Sequence, residues 1–162
     1  MCCVMESEPM VDFESFCLQA LGSLGSNVAQ ELADGQVSLI SGVETQLMCN
    51  DVDDVAQLYC QIGTPYPNTE LLVYRQLLEL QLIFSDTIDA MFVRDSLNDR
   101  LLFTARLPLS DSVSPSDFCQ AVTGLIEQVL RWRQGLLTGL IMELPEFTGH
   151  PMADAAESAM LG

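Results

Sequence analysis

Residues Thr69–Leu107, TELLVYRQLLELQLIFSDTIDAMFVRDSLNDRLLFTARL, form the stretch that decides the fold. Its first half is so rich in leucine that a helix there is apolar on most of its circumference and needs cover on most sides. In its second half, β-branched and aromatic residues alternate with others, which predicts strands at Ala90–Arg94 and Arg100–Leu107 around a turn at Asn98-Asp99. One layer of structure covers only one side of such a helix, so we expect a second copy of the chain to cover the other.

The sequence before this stretch predicts one helix and three strands. Apolar residues recur at helical spacing over Val11–Leu24, with Asp12 as N-cap or first-turn acid and with Gly22 and Gly25 ending the helix. Alternation of apolar and polar residues then predicts strands at Gln36–Ser41, Thr45–Asn50 and Val55–Ile62. In the first of these strands, Val37 and Leu39 form the apolar side and are expected to face the core.

The sequence after this stretch predicts a long, well-capped helix. Ser114 is placed to cap it, Pro115 suits its first position, and Asp117 stands where a capping box usually has Glu or Gln. Its apolar seam is Phe118, Val122, Leu125, Val129, Trp132 and Leu136. The predicted fold is therefore α+β and dimeric: a twisted antiparallel sheet with three helices, in the order α-β-β-β-α-β-β-α. We expect one domain over residues 11–142, a flexible N-terminus over 1–10 and a mobile C-terminal tail over 143–162.

Composition excludes several classes of function. Six arginines and no lysine stand against 23 acidic residues, which gives a net charge of −17 and a pI near 4.1. This balance opposes binding to nucleic acid or to anionic lipid, and it favours solubility or a basic partner. No apolar run is long enough to span a membrane. The six cysteines show no C-x-x-C spacing, so we interpret them as reduced thiols in a cytosolic protein.

No residue pattern in the chain predicts catalysis, a metal or a cofactor. The only histidine, His150, lies in the predicted tail, and the cysteines are scattered over separate elements, whereas zinc needs three or four converging ligands. The GSLGS run lacks the lysine of a phosphate-binding loop, and NDVDD lacks the glycine and distal Glu of a calcium loop. Carboxylates are abundant, but they cluster at turns and helix starts, where capping and solubility account for them.

Several phrases of the sequence resemble the class I type III secretion chaperones of the CesT (Tir chaperone) family. They are LADG (Leu32–Gly35), LYCQIG (Leu58–Gly63), YRQLLELQL (Tyr74–Leu82), DAMFVRDSLNDRLLFTARLPL (Asp89–Leu109) and SDFCQAVTGLIEQVLRWRQ (Ser116–Gln134). The element order, size and acidity agree with the same family over residues 11–140. One departure is Gln81, which stands where an LL-x-x-N phrase of the second helix has Asn.

The resemblance implies a bacterial, cytoplasmic homodimer that hydrolyses no ATP. It would bind the N-terminal region of a type III secreted effector as an extended chain and keep it soluble and export-competent, with the export ATPase as a further candidate partner. By resemblance, the dimer interface is predicted at Leu77, Leu80, Gln81, Phe84, Met91 and Phe92. The effector-binding surface is predicted at Phe13, Phe16, Leu39, Leu47, Cys49, Leu58 and Leu107. Alternatives are a cytosolic peptide-binding adaptor or regulatory module without a secretion role, and a small acidic enzyme.

Overall fold

A computed structural model describes residues 12–50, 54–84, 89–135 and 137, with the side chains of Asn50 and Phe84 left out. Its centre is a five-stranded antiparallel sheet in the order β1-β2-β3-β5-β4. The strands are β1 (Val37–Ile40), β2 (Val43–Asn50), β3 (Val55–Gly63), β4 (Ala90–Asp95) and β5 (Arg100–Pro108). All five predicted strands are present, and the α+β fold class is confirmed.

The helices number four among the described residues, one more than the sequence predicts. They are α1 (Phe13–Leu21), α2 (Ser26–Ala33), α3 (Glu70–Phe84) and α4 (Pro115–Gly135), with a 3₁₀ turn at Gly22–Leu24. The additional helix is α2, a short segment whose Ala29 and Leu32 are buried. It begins after Gly25, whose φ of 120° lies outside the range that other residues readily adopt, so the chain stops one helix and starts another there.

The predicted N-cap of α4 at Ser114 is confirmed. The Asp117 backbone N–H donates to Ser114 Oγ at 3.1 Å, and Ser114 Oγ donates to the Asp117 carboxylate at 2.7 Å. The apolar seam of α4 is buried at Phe118, Val122, Leu125, Val129 and Trp132. Leu136, the last predicted member of the seam, lies outside the described residues, as do residues 1–11 and 138–162, which include the predicted termini and His150.

The core lies between one face of the sheet and the helices. From β3 it takes Ala56, Leu58, Cys60 and Ile62, and from β5 it takes Leu101, Phe103, Ala105 and Leu107. Trp132 of α4 packs against Phe92 of β4 and Phe103 of β5, each with ring centroids 5.0 Å apart. These aromatic contacts join α4 to β5 and β4, the two strands at one edge of the sheet.

One long side chain ties α4 to the loops of the sheet. The Arg133 guanidinium donates to the backbone carbonyls of Ile62 at 2.8 Å, Gly42 at 2.7 Å and Gln61 at 2.6 Å. A cation at the C-terminal end of a helix is also favoured by the helix dipole. The end of α4, the end of β3 and the β1–β2 turn are therefore held together by one residue.

The side-chain orientation predicted for β1 is wrong. Ser38 and Ile40 face the core, while Val37 and Leu39 face outward with 55% and 65% of their surface exposed. The reason is the register with β2: Ser38 pairs with Thr45 and Ile40 with Val43, and both of these β2 residues are fully buried. Successive side chains of a strand point to opposite faces of the sheet. The pairing of β1 with β2, and not the hydropathy of β1, therefore decides which of its side chains face the core.

Candidate functional site

The two edges of the sheet differ in chemistry, and the first edge is β1. Its two-residue turn has positive φ at both Ser41 and Gly42, 50° and 80°, as a tight hairpin requires. The turn makes Ile40 and Val43 a hydrogen-bonded pair, so the N–H and C=O groups of Val37 and Leu39 point away from β2. Among the described residues, no element pairs with this outward row of backbone groups.

Hydrogen bonds fix the position of β1 at its start. Gln46 Nε2 donates to the Gly35 carbonyl at 2.7 Å, and the backbone N–H of Gln36 donates to the carbonyl of Glu31 at 2.8 Å. Gly35 itself adopts φ of 69°, which lets the chain turn from α2 into the strand. The exposed edge is therefore held in place by α2 and β2.

The opposite edge, β4, is closed by a side chain of the same molecule. Gln81 Nε2 of α3 donates to the Ala90 carbonyl at 2.8 Å, and the Phe92 backbone N–H donates to Gln81 Oε1 at 2.9 Å. The single amide thus pairs with alternate residues of β4 in the way that a neighbouring strand would. A strand added to this sheet meets bonded backbone at Ala90 and Phe92, and at Val37 and Leu39 it meets backbone groups to which no described residue is bonded.

Helix α3 carries an apolar surface that the described residues leave exposed. Its inner side buries Val73, Leu77 and Leu80. Its outer side exposes leucines at 84%, 72% and 74%, and the adjacent strand β4 exposes two more apolar side chains at 50% and 37%. We call these five residues the α3–β4 surface: Leu71, Leu78, Leu82, Met91 and Val93. Scattered exposed leucines are common, but an apolar patch of this kind is typical of an interaction site.

A groove of about 320 Å³ lies within the same region. Its walls include Tyr74 and Leu78 of α3 and Val93 of β4, and Arg94 stands beside them. Arg94 is held by an ion pair with Asp99, 2.8 Å from Nη2 to Oδ1. The groove has space for large apolar side chains from a partner surface.

The structure separates the residues predicted for the dimer interface into two groups. Leu77 and Leu80 are buried inside the single chain, and Gln81 is engaged with β4. Met91 is half exposed, and Phe92 is partly buried against Phe103 and Trp132. The side chain of Phe84 lies outside the described residues. The most exposed leucines of α3, which the sequence prediction omitted, are Leu71, Leu78 and Leu82; their spacing of seven and four residues was visible in the sequence.

The residues predicted for effector binding also differ in burial. Leu47, Leu58 and Leu107 are core residues with at most 4% of their surface exposed. Phe13, Phe16 and Cys49 are partly exposed, and Phe16 stacks edge-on against Phe118 at 5.3 Å. Only Leu39 of the predicted set is largely exposed, and its neighbour on the same side of β1, Val37, was assigned to the core by the sequence.

Charged side chains on the sheet form a connected set beside β2. Arg100 donates to Glu44 at 2.8 Å and to Asp95 at 3.0 Å. Hydrogen bonds from Asn98 and then from Arg100 lower the pKa of the Asp95 carboxyl. Nothing in this arrangement points to catalysis, and the described residues contain no group of three or more His, Cys, Asp or Glu that could hold a metal ion. No helix within them is long and apolar enough to cross a membrane.

The part of the chain that the structure describes is an α+β fold in which the β1 edge is open and helix α3 exposes an apolar surface. The sequence model of the Tir chaperone protein (CesT) family matches residues 19–133, so the chain belongs to this family. The resemblance to class I type III secretion chaperones is thereby confirmed. Binding, rather than catalysis, is the activity that membership supports.

Solved structures with the same fold include two complexes. The chain is similar to one in the crystal structure of the ExsC–ExsE complex, with a TM-score of 0.62 and 14% identity over 88% of this chain and 100% of that one. It is also similar to one in the HopA1–SchA chaperone–effector complex, with a TM-score of 0.50 and 14% identity over 78% of this chain and 100% of that one. No curated protein sequence matches the chain significantly.

Proposed function

We propose that this protein is a cytoplasmic, homodimeric chaperone of a type III secretion system. It binds the N-terminal region of a secreted effector as an extended chain and keeps that effector soluble and export-competent, without catalysis and without a cofactor. Family membership supports the chaperone class, and the similar fold occurs in a chaperone–effector complex. The observation that carries the proposal is the open edge of β1 beside exposed Val37 and Leu39.

Strand addition explains how such an edge binds an unfolded segment. Main-chain hydrogen bonds to Val37 and Leu39 require no particular side chains, so they give affinity for any extended chain. Apolar side chains of the bound segment then lie beside Val37 and Leu39 on the outward side of the sheet. Because Gln81 occupies the β4 edge, β1 is where the effector strand adds in this account.

The homodimer uses the α3–β4 surface in this proposal. Covering an exposed leucine side chain contributes about 1.5–3 kcal/mol when burial is complete, so three leucines of α3 supply a substantial driving force. A two-fold axis lets the same patch of each subunit cover the other. The partner's leucines can enter the groove between α3 and β4, which is lined mainly by apolar side chains.

A proline substitution tests the strand-addition site. Leu39→Pro removes an outward N–H that β2 does not use, and proline is tolerated on edge strands, so the fold should persist. Leu39→Thr keeps that N–H and changes only the side chain. When the chain is co-expressed with the N-terminal segment of a secreted effector, we expect Leu39→Pro to lose most of the co-purified effector and Leu39→Thr to retain more. Equal capture by wild type and Leu39→Pro would rule out β1 as the site.

Co-expression, together with pull-down from the native host, separates the chaperone from an adaptor. A chaperone should capture the secreted segment and keep it soluble after co-expression. An adaptor without a secretion role should capture a resident cytosolic protein in the native host and leave the secreted segment insoluble.

A further inference from the structure

Building on the proposed function, we infer that the segment paired with β1 is basic. The structure favours an extended chain with apolar residues at alternate positions and with Lys or Arg residues near the start of β1. The basic side chains would lie close to Glu31 and Asp34, and the apolar ones beside Val37 and Leu39. This deepens the chaperone proposal by naming the chemistry of the chain that is bound.

Charge is distributed unevenly along the chain. Every residue before Arg75 is neutral or acidic, so α1, α2 and β2 contribute carboxylates, and neither these two helices nor the first three strands contribute a cationic side chain. Close to β1, one neutral amide holds two of these carboxylates: Gln30 Nε2 donates to Asp34 Oδ1 at 3.1 Å and to Glu14 Oε1 at 3.4 Å. An arrangement of this kind leaves the negative charge of both carboxylates uncompensated.

The helix that leads into β1 has carboxylates at its C-terminal end. Helix α2 ends at Ala33, with Glu31 in its last turn and Asp34 at its C-cap, and its final turn carries no basic residue. Carboxylates at a helix C-terminus add to the negative end of the helix dipole, which is unfavourable for the isolated subunit. A cation from a bound chain would relieve this repulsion at the start of β1.

The opposite end of β1 already has cations of the protein beside it. Near the β1–β2 turn, two arginines of the protein are already bound. Arg100 pairs with Glu44 and Asp95, and Arg133 donates to the carbonyl of Gly42. Cations of a partner would therefore compete with arginines at the turn, whereas they meet only carboxylates at Glu31 and Asp34.

The edge strand also contains a polar group without a partner. Ser38 is 3% exposed, and its Oγ has no hydrogen-bond partner among the described residues. A buried hydroxyl without a hydrogen bond is unfavourable, and a hydrogen bond from another group removes this cost. A strand added beside β1 would bring further backbone and side-chain groups close to Ser38.

Charge also disfavours a second copy of the chain as the occupant of this edge. Pairing β1 with β1 would bring two sets of Glu31 and Asp34 together, each on a chain with net charge −17. Like charges placed across a strand pair are destabilising. The α3–β4 surface, by contrast, has carboxylates that are balanced by cations in its neighbourhood, since Arg75 pairs with Glu79 and Arg94 with Asp99, and it is better suited to contact between copies.

Synthetic peptides test the inference with the full chain. Three labelled nonapeptides of alternating valine with lysine, glutamine or glutamate differ only in charge, and fluorescence anisotropy measures their affinities. We expect the Val/Lys peptide to bind at least about tenfold more tightly than the Val/Glu peptide and to weaken as salt is raised. The double variant Glu31→Gln, Asp34→Asn should weaken Val/Lys binding at least about threefold, since exposed ion pairs are individually weak.

A matched control removes the same charge from a distant surface. Asp111→Asn with Glu127→Gln should leave Val/Lys binding unchanged, and thermal melting checks that both double variants fold. Equal binding of the three peptides, or no binding of the Val/Lys peptide, would overturn the inference. Either result leaves the chaperone proposal standing if the effector segment is still captured through β1. Loss of that capture would instead defeat the chaperone proposal.

Discussion

Two cysteine side chains, Cys17 and Cys60, lie fully inside the core. Burial raises the pKa of the Cys17 thiol to about 12, with a further contribution from Cys49. Burial also raises the pKa of Cys60 to about 12, although a hydrogen bond with Thr45 and the charge of Arg133 act in the opposite direction. At neutral pH both thiols are protonated and behave as small apolar groups.

These thiols make stability sensitive to alkaline pH. Below pH 9 the thiols keep their protons in the folded and unfolded states alike. Between pH 9 and pH 12 only the unfolded chain releases them, so the free energy of unfolding should fall as pH rises. The slope from each thiol approaches about 1.4 kcal/mol per pH unit. Urea unfolding at several pH values should show a smaller slope for Cys60→Ala than for wild type, and identical slopes would contradict this assignment.

At the scale of secondary-structure elements, the contact between α3 and β4 depends on one amide. Gln81→Leu keeps the size of the side chain but leaves the Ala90 carbonyl and the Phe92 N–H without their partner. We expect a loss of about 1–3 kcal/mol in unfolding free energy, together with greater aggregation because a second strand edge is opened. Gln19→Leu, on the exposed side of α1, is the control. Urea unfolding and light scattering measure the two effects, and equal behaviour of the variants would contradict the role of Gln81.

The two sides of α3 should respond differently to a charge. Leu78 is 72% exposed and Leu80 is 4% exposed in the single chain. Leu78→Asp should therefore leave the subunit folded while raising the dimer dissociation constant at least about tenfold. Leu80→Asp should unfold the subunit, because it buries an unpaired carboxylate. Leu97→Asp, at the tip of the β4–β5 turn, is a matched control, and light scattering reports the mass.

A dimer of unchanged stability in Leu78→Asp would place the interface elsewhere. A stable, folded Leu80→Asp dimer would show that the inner side of α3 is not covered within one subunit. Circular dichroism separates unfolding from simple dissociation in both cases.

Much of the element pattern could be predicted from local sequence. The alternation in β3 and β5, the turn at Asn98-Asp99 and the cap of α4 at Ser114 each follow from short-range chemistry, and the structure contains all of them. The surfaces were harder to predict, because exposure depends on partners that are distant in the sequence. Leu47, Leu58 and Leu107 look like candidate groove residues in the sequence, yet packing against the helices makes them core.

The errors have physical causes that can be named. The orientation of β1 was wrong because Ser38 and Ile40 are drawn inward by Thr45 and Val43, and a four-residue strand has too few side chains to decide its own register. Helix α2 was missed because its eight residues are too few for a clear helical period. The role of Gln81 requires knowing that α3 lies beside β4, which no local pattern reveals.

On the scale of the whole molecule, the account divides the protein into two regions with different tasks. The α3–β4 surface presents apolar side chains near arginines and is assigned to the second subunit. The β1 edge presents backbone groups that no described residue pairs with, close in the chain to carboxylates, and we assign it to the effector. The long helix α4 joins the regions, because Trp132 contacts β4 and β5 while Arg133 holds the β1–β2 turn.

Residue-resolved amide hydrogen exchange, measured on the free protein and on its complex with the effector segment, tests the central claim most directly. If the segment adds as a strand to β1, the N–H groups of Val37 and Leu39 should change from rapid exchange to strong protection when the complex forms. A stable complex in which both amides still exchange as rapidly as in the free protein would contradict the account.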